Sequence, residues 1–321
     1  MVSLCLRSHP CPSNTAPNCR VVSHEQLHTR LTSSIFTPGG QDRRLLTAMS
    51  EGFQIFSTVR FDTALKGVAG SDLDYAGWNH KHASPFYLLD RHRDRLLRAA
   101  IHWQWEPVME LLAGDRGIEN LARLAEEFVG AAPPTPLRVT IRITQDGVIS
   151  FERSEIPAVL LENLFPRELA PPGAARLSPG QPANSPRYVL VLDDGLVPPS
   201  EYTHFKTSRR EMYNAARQRA NIKVGEAREV LLVNQRDKTI MEGSITTPYF
   251  WRGGRWVTPP VAKQFNPKEG SGGQDGTSRR WALERGLAVE EAVKPESVRH
   301  GELCWISNGA RGFTPATISR E

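Results

Sequence analysis

The chain has 321 residues, 39% hydrophobic and 23% charged, with a formal net charge of +5, which suits a soluble globular protein of one large or two modest domains and excludes a fibrous or disordered one. No apolar run approaches the roughly 18 residues of a membrane span. Five arginines against Glu25 and Asp42 put +3 of the net charge into residues 1–48, so the body is close to neutral, and without a basic stripe interleaved with aromatics no nucleic-acid partner is expected.

Residues 1–48 are rich in Ser, Thr, Pro and Arg, poor in acid and without a sustained period. They read as an N-terminal extension, either disordered or a targeting segment, and Met49 offers an alternative start just before the first strand. Cys5, Cys11 and Cys19 lie in that stretch and Cys304 stands alone near the end. Their spacings match no zinc pattern and no disulfide framework, which points to a reducing compartment: the cytoplasm, or the mitochondrion if the extension is a transit peptide.

Residues 49–166 read as a small α+β domain. "FQIFSTVRF" alternates like a strand. "PFYLLDRHRDRLLRAAIHW" sets Leu88, Leu89, Leu96, Leu97 and Ala100 near helical spacing, and "IENLARLAEEFV" repeats the pattern. "LRVTIRITQDGVISFE" predicts two strands about the turn Gln145-Asp146-Gly147. Residues 167–187, proline- and glycine-rich, read as an interdomain linker. Residues 188–321 form a second, β-rich domain: the strand "YVLVLD", a helix over "FKTSRREMYNAARQR", and the strands "EVLLVN" and "TIMEGSITTPYFWRGGRWVTPP" with Gly253-Gly254 closing a hairpin. The glycine-rich loop "SGGQDGTSRRWALERG" then opens a helix, and "GELCWISN" is the last strand.

Lys206, at the head of a basic helix, would by itself be a solvated charge. Glu242 changes that reading. It sits on a strand of apolar and hydroxylic residues, where a carboxylate requires a cationic partner. The loop ending in Gly276-Thr277-Ser278 presents free backbone N–H groups at a helix N-terminus, a natural phosphate site, and Arg95 can add a bidentate clamp. Lysine, carboxylate, phosphate cradle and arginine are the parts of a pyridoxal phosphate site. His80 and His82 lack a further ligand nearby in sequence and read as loop histidines rather than a metal pair.

In their order, "HRDRL", "FKTSRREMY", "MEGSITTPYF", "WVTPP", "GTSRR" and "ISNGARG" resemble the fold type IV pyridoxal phosphate enzymes, the class IV aminotransferase family. That group includes branched-chain and D-amino acid aminotransferases and aminodeoxychorismate lyase. The resemblance spans Phe53 to Pro315 and implies two α+β domains with the cofactor between them. It implies that Lys206 is the Schiff-base lysine, that Glu242 faces the pyridine nitrogen, and that Arg95, Thr277 and Ser278 bind the phosphate. Ser307, Asn308 and Gly309 would form a further turn near the cofactor. Thr58 and Arg60, in "FSTVRF", would line the substrate side, and Tyr213, two helical turns beyond Lys206, would touch the cofactor or simply pack. A small-molecule amine substrate and a homodimer are implied too. "FKTSRREMYNAAR" and "EGSITTPYFWRGGRWVTPP" look most similar to the eukaryotic aminodeoxychorismate lyases. The expected activity is therefore conversion of 4-amino-4-deoxychorismate to 4-aminobenzoate and pyruvate, for folate synthesis, with aminotransfer or a non-catalytic binding role as the alternatives. Two departures stand out: no first strands are recognisable before "FSTVRF", and "VAKQFNPKEGSGGQDG" is longer than the usual loop.

Overall fold

The alternation that begins at Phe53 becomes an antiparallel sheet. Residues 19–22, 52–131, 133–174 and 188–320 are described by a computed structural model of the chain, 19–22 as backbone only. Strands β1 (Cys19–Val22), β2 (Ile55–Phe61), β3 (Leu137–Ile143) and β4 (Ile149–Glu155) are ordered β1-β4-β3-β2. Because side chains alternate across a strand, one face of this sheet carries Ile55, Val59, Val139, Ile141 and Phe151. That face packs on three helices, α1 (Leu89–His102), α2 (Glu106–Leu112) and α3 (Gly114–Val129), in one continuous core. The opposite face carries Phe56, Thr58 and Arg60, in register with Arg142, Thr140 and Arg138. β1 falls inside the segment read as an extension and pairs with β4 from Cys19↔Glu152 to Val22↔Ile149. The rest of that extension, with Cys5, Cys11 and Met49, lies outside the described residues, as do residues 175–187 of the expected linker.

The second sheet has eight strands: β5 (Tyr188–Val197), β6 (Arg228–Asn234), β7 (Ile240–Gly243), β8 (Thr247–Arg252), β9 (Arg255–Thr258), β10 (Val289–Glu290), β11 (Leu303–Asn308) and β12 (Gly312–Ser319), ordered β10-β9-β8-β11-β12-β5-β6-β7. Gly253 and Gly254 both have positive φ (55° and 78°) and join β8 to β9 in a two-residue turn, the conformation only glycine adopts freely. Helix α4 (Glu211–Arg219) lies on β5 and β6, and α5 (Thr277–Glu284) contacts α1 and β11. The sequence reading missed β12, which is central to the sheet. Pro315 argues against a strand, yet pairing with β5 begins only at Ala316, one residue beyond it, so no β5 carbonyl waits for the N–H that proline lacks.

Candidate active site

Lys206 is not on a helix. One helical turn, Glu201–His204, ends ahead of it, and α4 begins only at Glu211. Between them the chain is captured by β2. Phe56 N donates to Lys206 O at 3.0 Å, Ser208 N donates to Gln54 O at 2.8 Å, and Thr207 bridges Ile55. The expected helical face shared by Lys206 and Tyr213 therefore does not exist: strand hydrogen bonds offered by β2 replace helical ones over residues 206–208.

The half-buried Lys206 side chain enters a cavity of about 360 Å³, its Nζ 4.8 Å from the centroid of Phe56. Glu242 of β7 lines the same space. Its Oε1 accepts from Tyr213 Oη at 2.7 Å and from Gln274 N at 3.2 Å, and Gln274 Nε2 donates to Tyr213 Oη at 3.1 Å. Tyr213 thus sits behind the carboxylate, in the core, and does not line the cavity. Burial pushes Glu242 up to about 7, against the lowering effects of the Tyr213 hydrogen bond and of Lys206. Lys206 is displaced the other way, well below the ordinary lysine range, by burial first and then by Arg210 and Arg95. Both groups therefore lean towards their neutral forms.

Arg95, on α1, reaches the other end of the cavity. Its Nη2 donates to Ser57 Oγ, Nε has no partner, and no carboxylate lies within ion-pair distance among the described residues. Burial, then Arg280 and Arg98, pull Arg95 down to about 9, still protonated at neutral pH. Facing it, Gly276 precedes α5 in an extended conformation and provides no side-chain cap, so the first N–H groups of the helix are left for another acceptor. Thr277 and Ser278 line the cavity at that terminus. A fully buried His92 ties these parts together: Nδ1 lies 2.7 Å from Ser57 Oγ and Nε2 lies 3.5 Å from Thr277 Oγ1. Burial, reinforced by Arg95, keeps its imidazole neutral. Gly309 completes the cradle, since a Cβ there would come within 2.5 Å of His92 Cε1. An orphaned guanidinium nitrogen, an uncapped helix terminus and a glycine-lined turn fit an anion the size of a phosphate.

Of the other expected residues, Thr58 lines the wall, 3.5 Å from Thr140 Oγ1, and Asn308 lines it with its Oδ1 accepting from Ala310 N and Arg311 N. Arg60 departs from expectation. It is fully buried, paired with Asp62 at 2.8 Å and donating to Pro157 O and Ala310 O, and it does not border the cavity. The carboxylate of Asp62, one residue beyond the end of β2, claims the guanidinium. His80 Nε2 lies 3.1 Å from Ser71 O, and His82 stacks on Trp78.

Sequence reading missed the cationic wall. Arg138 and Arg142 line the cavity from the polar face of β3, Arg210 from the segment after Lys206, and Arg311 from the turn before β12. Arg142 pairs with Glu152 at 3.1 Å, Arg210 donates to Ser244 O at 2.8 Å, and Arg311 lies over the Tyr188 ring. With Arg95 there are five arginines around the cavity, against the carboxyl groups of Glu152 and Glu242. The signal was present in "LRVTIRI", where polar positions alternate with core ones and two of the three are arginine.

Residues 75–318 match the model of the family described as amino-transferase class IV. Among curated proteins no sequence matches the chain. Its fold is similar to that of a putative amino-acid aminotransferase from Mesorhizobium loti (21% identity, TM-score 0.56, covering 83% of this chain and 99% of that one). It is similar also to a hypothetical aminotransferase from Mycobacterium tuberculosis in a form bound to α-ketoglutarate and PMP (15% identity, TM-score 0.54, 94% and 91% covered). A third similar structure is the branched-chain amino acid aminotransferase from Escherichia coli (14%, 0.51, 84% and 78%).

Proposed function

For this chain, which belongs to the class IV aminotransferase family of pyridoxal phosphate enzymes, we propose that the reaction is the lyase conversion of 4-amino-4-deoxychorismate into 4-aminobenzoate and pyruvate. The observation that carries the reading is the cationic wall. Once a phosphate engages Arg95 and the α5 terminus, Arg138, Arg142, Arg210 and Arg311 still outnumber Glu152, and a substrate with two carboxylates offsets most of that field.

In this reading Lys206 carries the cofactor, Glu242 partners its ring nitrogen, and Arg95, Thr277, Ser278 and Gly309 hold the phosphate. When bound, pyridoxal phosphate supplies an electron sink for the carbon that bears the substrate nitrogen. Lys206 Nζ, whose charged form burial and two arginines disfavour, takes the proton from that carbon. The bond from the neighbouring carbon to the enolpyruvyl oxygen then breaks, and its electron pair leaves with that oxygen. The oxygen collects a proton and tautomerises to pyruvate, while the ring becomes aromatic. Lys206, protonated in the first step, can return that proton. Glu242 is raised to about 7 chiefly by burial and would be returned towards its ionised form by a cationic partner in the cavity, with Tyr213 and Gln274 fixing the carboxylate from behind. Thr58, Arg138 and Arg142 form the wall that orients the substrate. The resemblance extends to a homodimer, for which light scattering at twice the chain mass is the check.

The test is incubation of the cofactor-loaded protein with aminodeoxychorismate and no amino acceptor. Equimolar 4-aminobenzoate and pyruvate support the lyase. Amino transfer that requires a 2-oxo acid reassigns the chain to the aminotransferases, and a colourless protein that cannot be loaded makes it a binding protein.

A further inference from the structure

Behind the cavity wall lies a carboxylate that the mechanism does not use. Glu229, on β6, is fully buried. Its Oε1 accepts from Val230 N (2.9 Å), Ser244 N (3.0 Å) and Ser244 Oγ (2.5 Å), and its Oε2 accepts from Ile245 N (3.1 Å) and Thr246 Oγ1 (2.9 Å). Arg217 Nη1 stands 3.7 Å away. Four of those five donors belong to one turn, Ser244–Thr246, which Gly243 separates from Glu242 and which lines the cavity. Gly243 allows the approach, since a Cβ there would come within 3.0 Å of the Glu229 side chain. A buried carboxylate that accepts this many hydrogen bonds is expensive to desolvate and is retained where it fixes geometry.

We propose that Glu229 is the positioning residue of the Ser244–Thr246 turn, holding the substrate-side wall at a set distance from Glu242 while leaving the phosphate cradle to other residues. Its negative charge has a second effect, as it favours the charged form of Lys206 against the opposing pull of Arg210 and Arg95. Glutamine in its place keeps the shape but turns an NH₂ towards donors, so it loses hydrogen bonds at one of the two oxygens and the charge as well. The effect on substrate rests on the reaction proposed above; the effect on the turn and on Lys206 does not.

The experiment uses the full chain loaded with pyridoxal phosphate, as wild type, Glu229→Gln and Thr246→Val. Amide exchange in a peptide covering residues 243–247 should quicken at least tenfold in Glu229→Gln, with peptides from β2 and α5 unchanged and pyridoxal phosphate affinity within threefold. The pH midpoint of the visible absorption band should fall in Glu229→Gln but not in Thr246→Val, which removes one donor and keeps the charge. Chorismate, a dianion with a hydroxyl where the proposed substrate has its amine, should bind at least tenfold more weakly to Glu229→Gln. Unchanged exchange at 243–247 overturns the assignment, as does loss of the cofactor with the turn still protected. If Glu229→Gln does not fold, quickened exchange confined to 243–247 in Thr246→Val supports the assignment, and its absence overturns it. A wild type that ignores chorismate while the exchange and midpoint changes appear refutes the proposed substrate and leaves Glu229 in its role.

Discussion

Gly309→Ala probes the cradle with a single methyl group. The added Cβ would sit 2.5 Å from His92 Cε1, 2.7 Å from His92 Nε2 and 2.9 Å from Thr277 Oγ1, where ordinary contact begins near 3.4 Å, so the neighbours must yield by up to 0.9 Å. His92 cannot swing away, because it is fully buried and its other nitrogen is bonded to Ser57, which also receives Arg95. Overpacking of a rigid site costs about 1–3 kcal/mol. That strain displaces Thr277 and the Arg95 anchor together, and the dissociation constant for pyridoxal phosphate should therefore rise roughly 5- to 150-fold. Titration of the unloaded protein with the cofactor, followed by absorbance, measures it. Gly276→Ala is the internal comparison: its Cβ meets Thr247 Oγ1 at 3.1 Å and Arg279 Cβ at an ordinary 3.6 Å, and the rise should be smaller. Gly309→Ala with a cofactor affinity within twofold of wild type would refute the cradle.

Lys206→Met should abolish the visible band and lower turnover by at least roughly a thousandfold, as expected when the group that moves the proton is deleted; spectrophotometry and product release check both. Tyr213→Phe removes the 2.7 Å hydrogen bond to Glu242 but leaves the packing, so turnover should fall about 3- to 30-fold with thermal stability lowered by about 1 kcal/mol. In the unloaded protein the depressed pKa of Lys206 means that the unfolded chain binds the proton the fold refuses, so stability attributable to this group rises with pH towards the ordinary lysine value of about 10.4. Denaturant melts between about pH 8.5 and 9.5 should show a steeper rise in wild type than in Lys206→Met, and equal slopes would remove the charge argument.

Where a site residue lay inside a local pattern, the sequence was informative. Thr277 and Ser278 stand between a glycine-rich loop and a periodic helix, Glu242 interrupts an apolar strand, and Arg95 lies on an amphipathic helix; the structure brings all of them to the cavity that holds Lys206. What escaped depends on contacts distant in sequence. The extended conformation at Lys206 comes from hydrogen bonds to Gln54 and Phe56, some 150 residues earlier, and no local propensity reports that. Arg60 and Arg138 face each other in register; Asp62 makes the first a core ion pair while the second stays at the cavity, a division that only the folded strand end decides. Local periodicity places Arg210 on a helix, but α4 begins one residue later, and that leaves the Arg210 guanidinium free to donate to Ser244 O.

One edge of β2 holds both ends of the site. Phe56 N donates to Lys206 O, and four residues on Arg60 N donates to Gly309 O, each at 3.0 Å. A strand advances about 3.3 Å per residue, so these two backbone ties are set about 13 Å apart by a segment that can neither stretch nor shorten. β2 is in effect a gauge block: it transmits to the lysine any displacement of the phosphate-side turn. A one-residue insertion between Phe56 and Arg60 would put one of the two ties out of step, however well every side chain in the cavity were preserved.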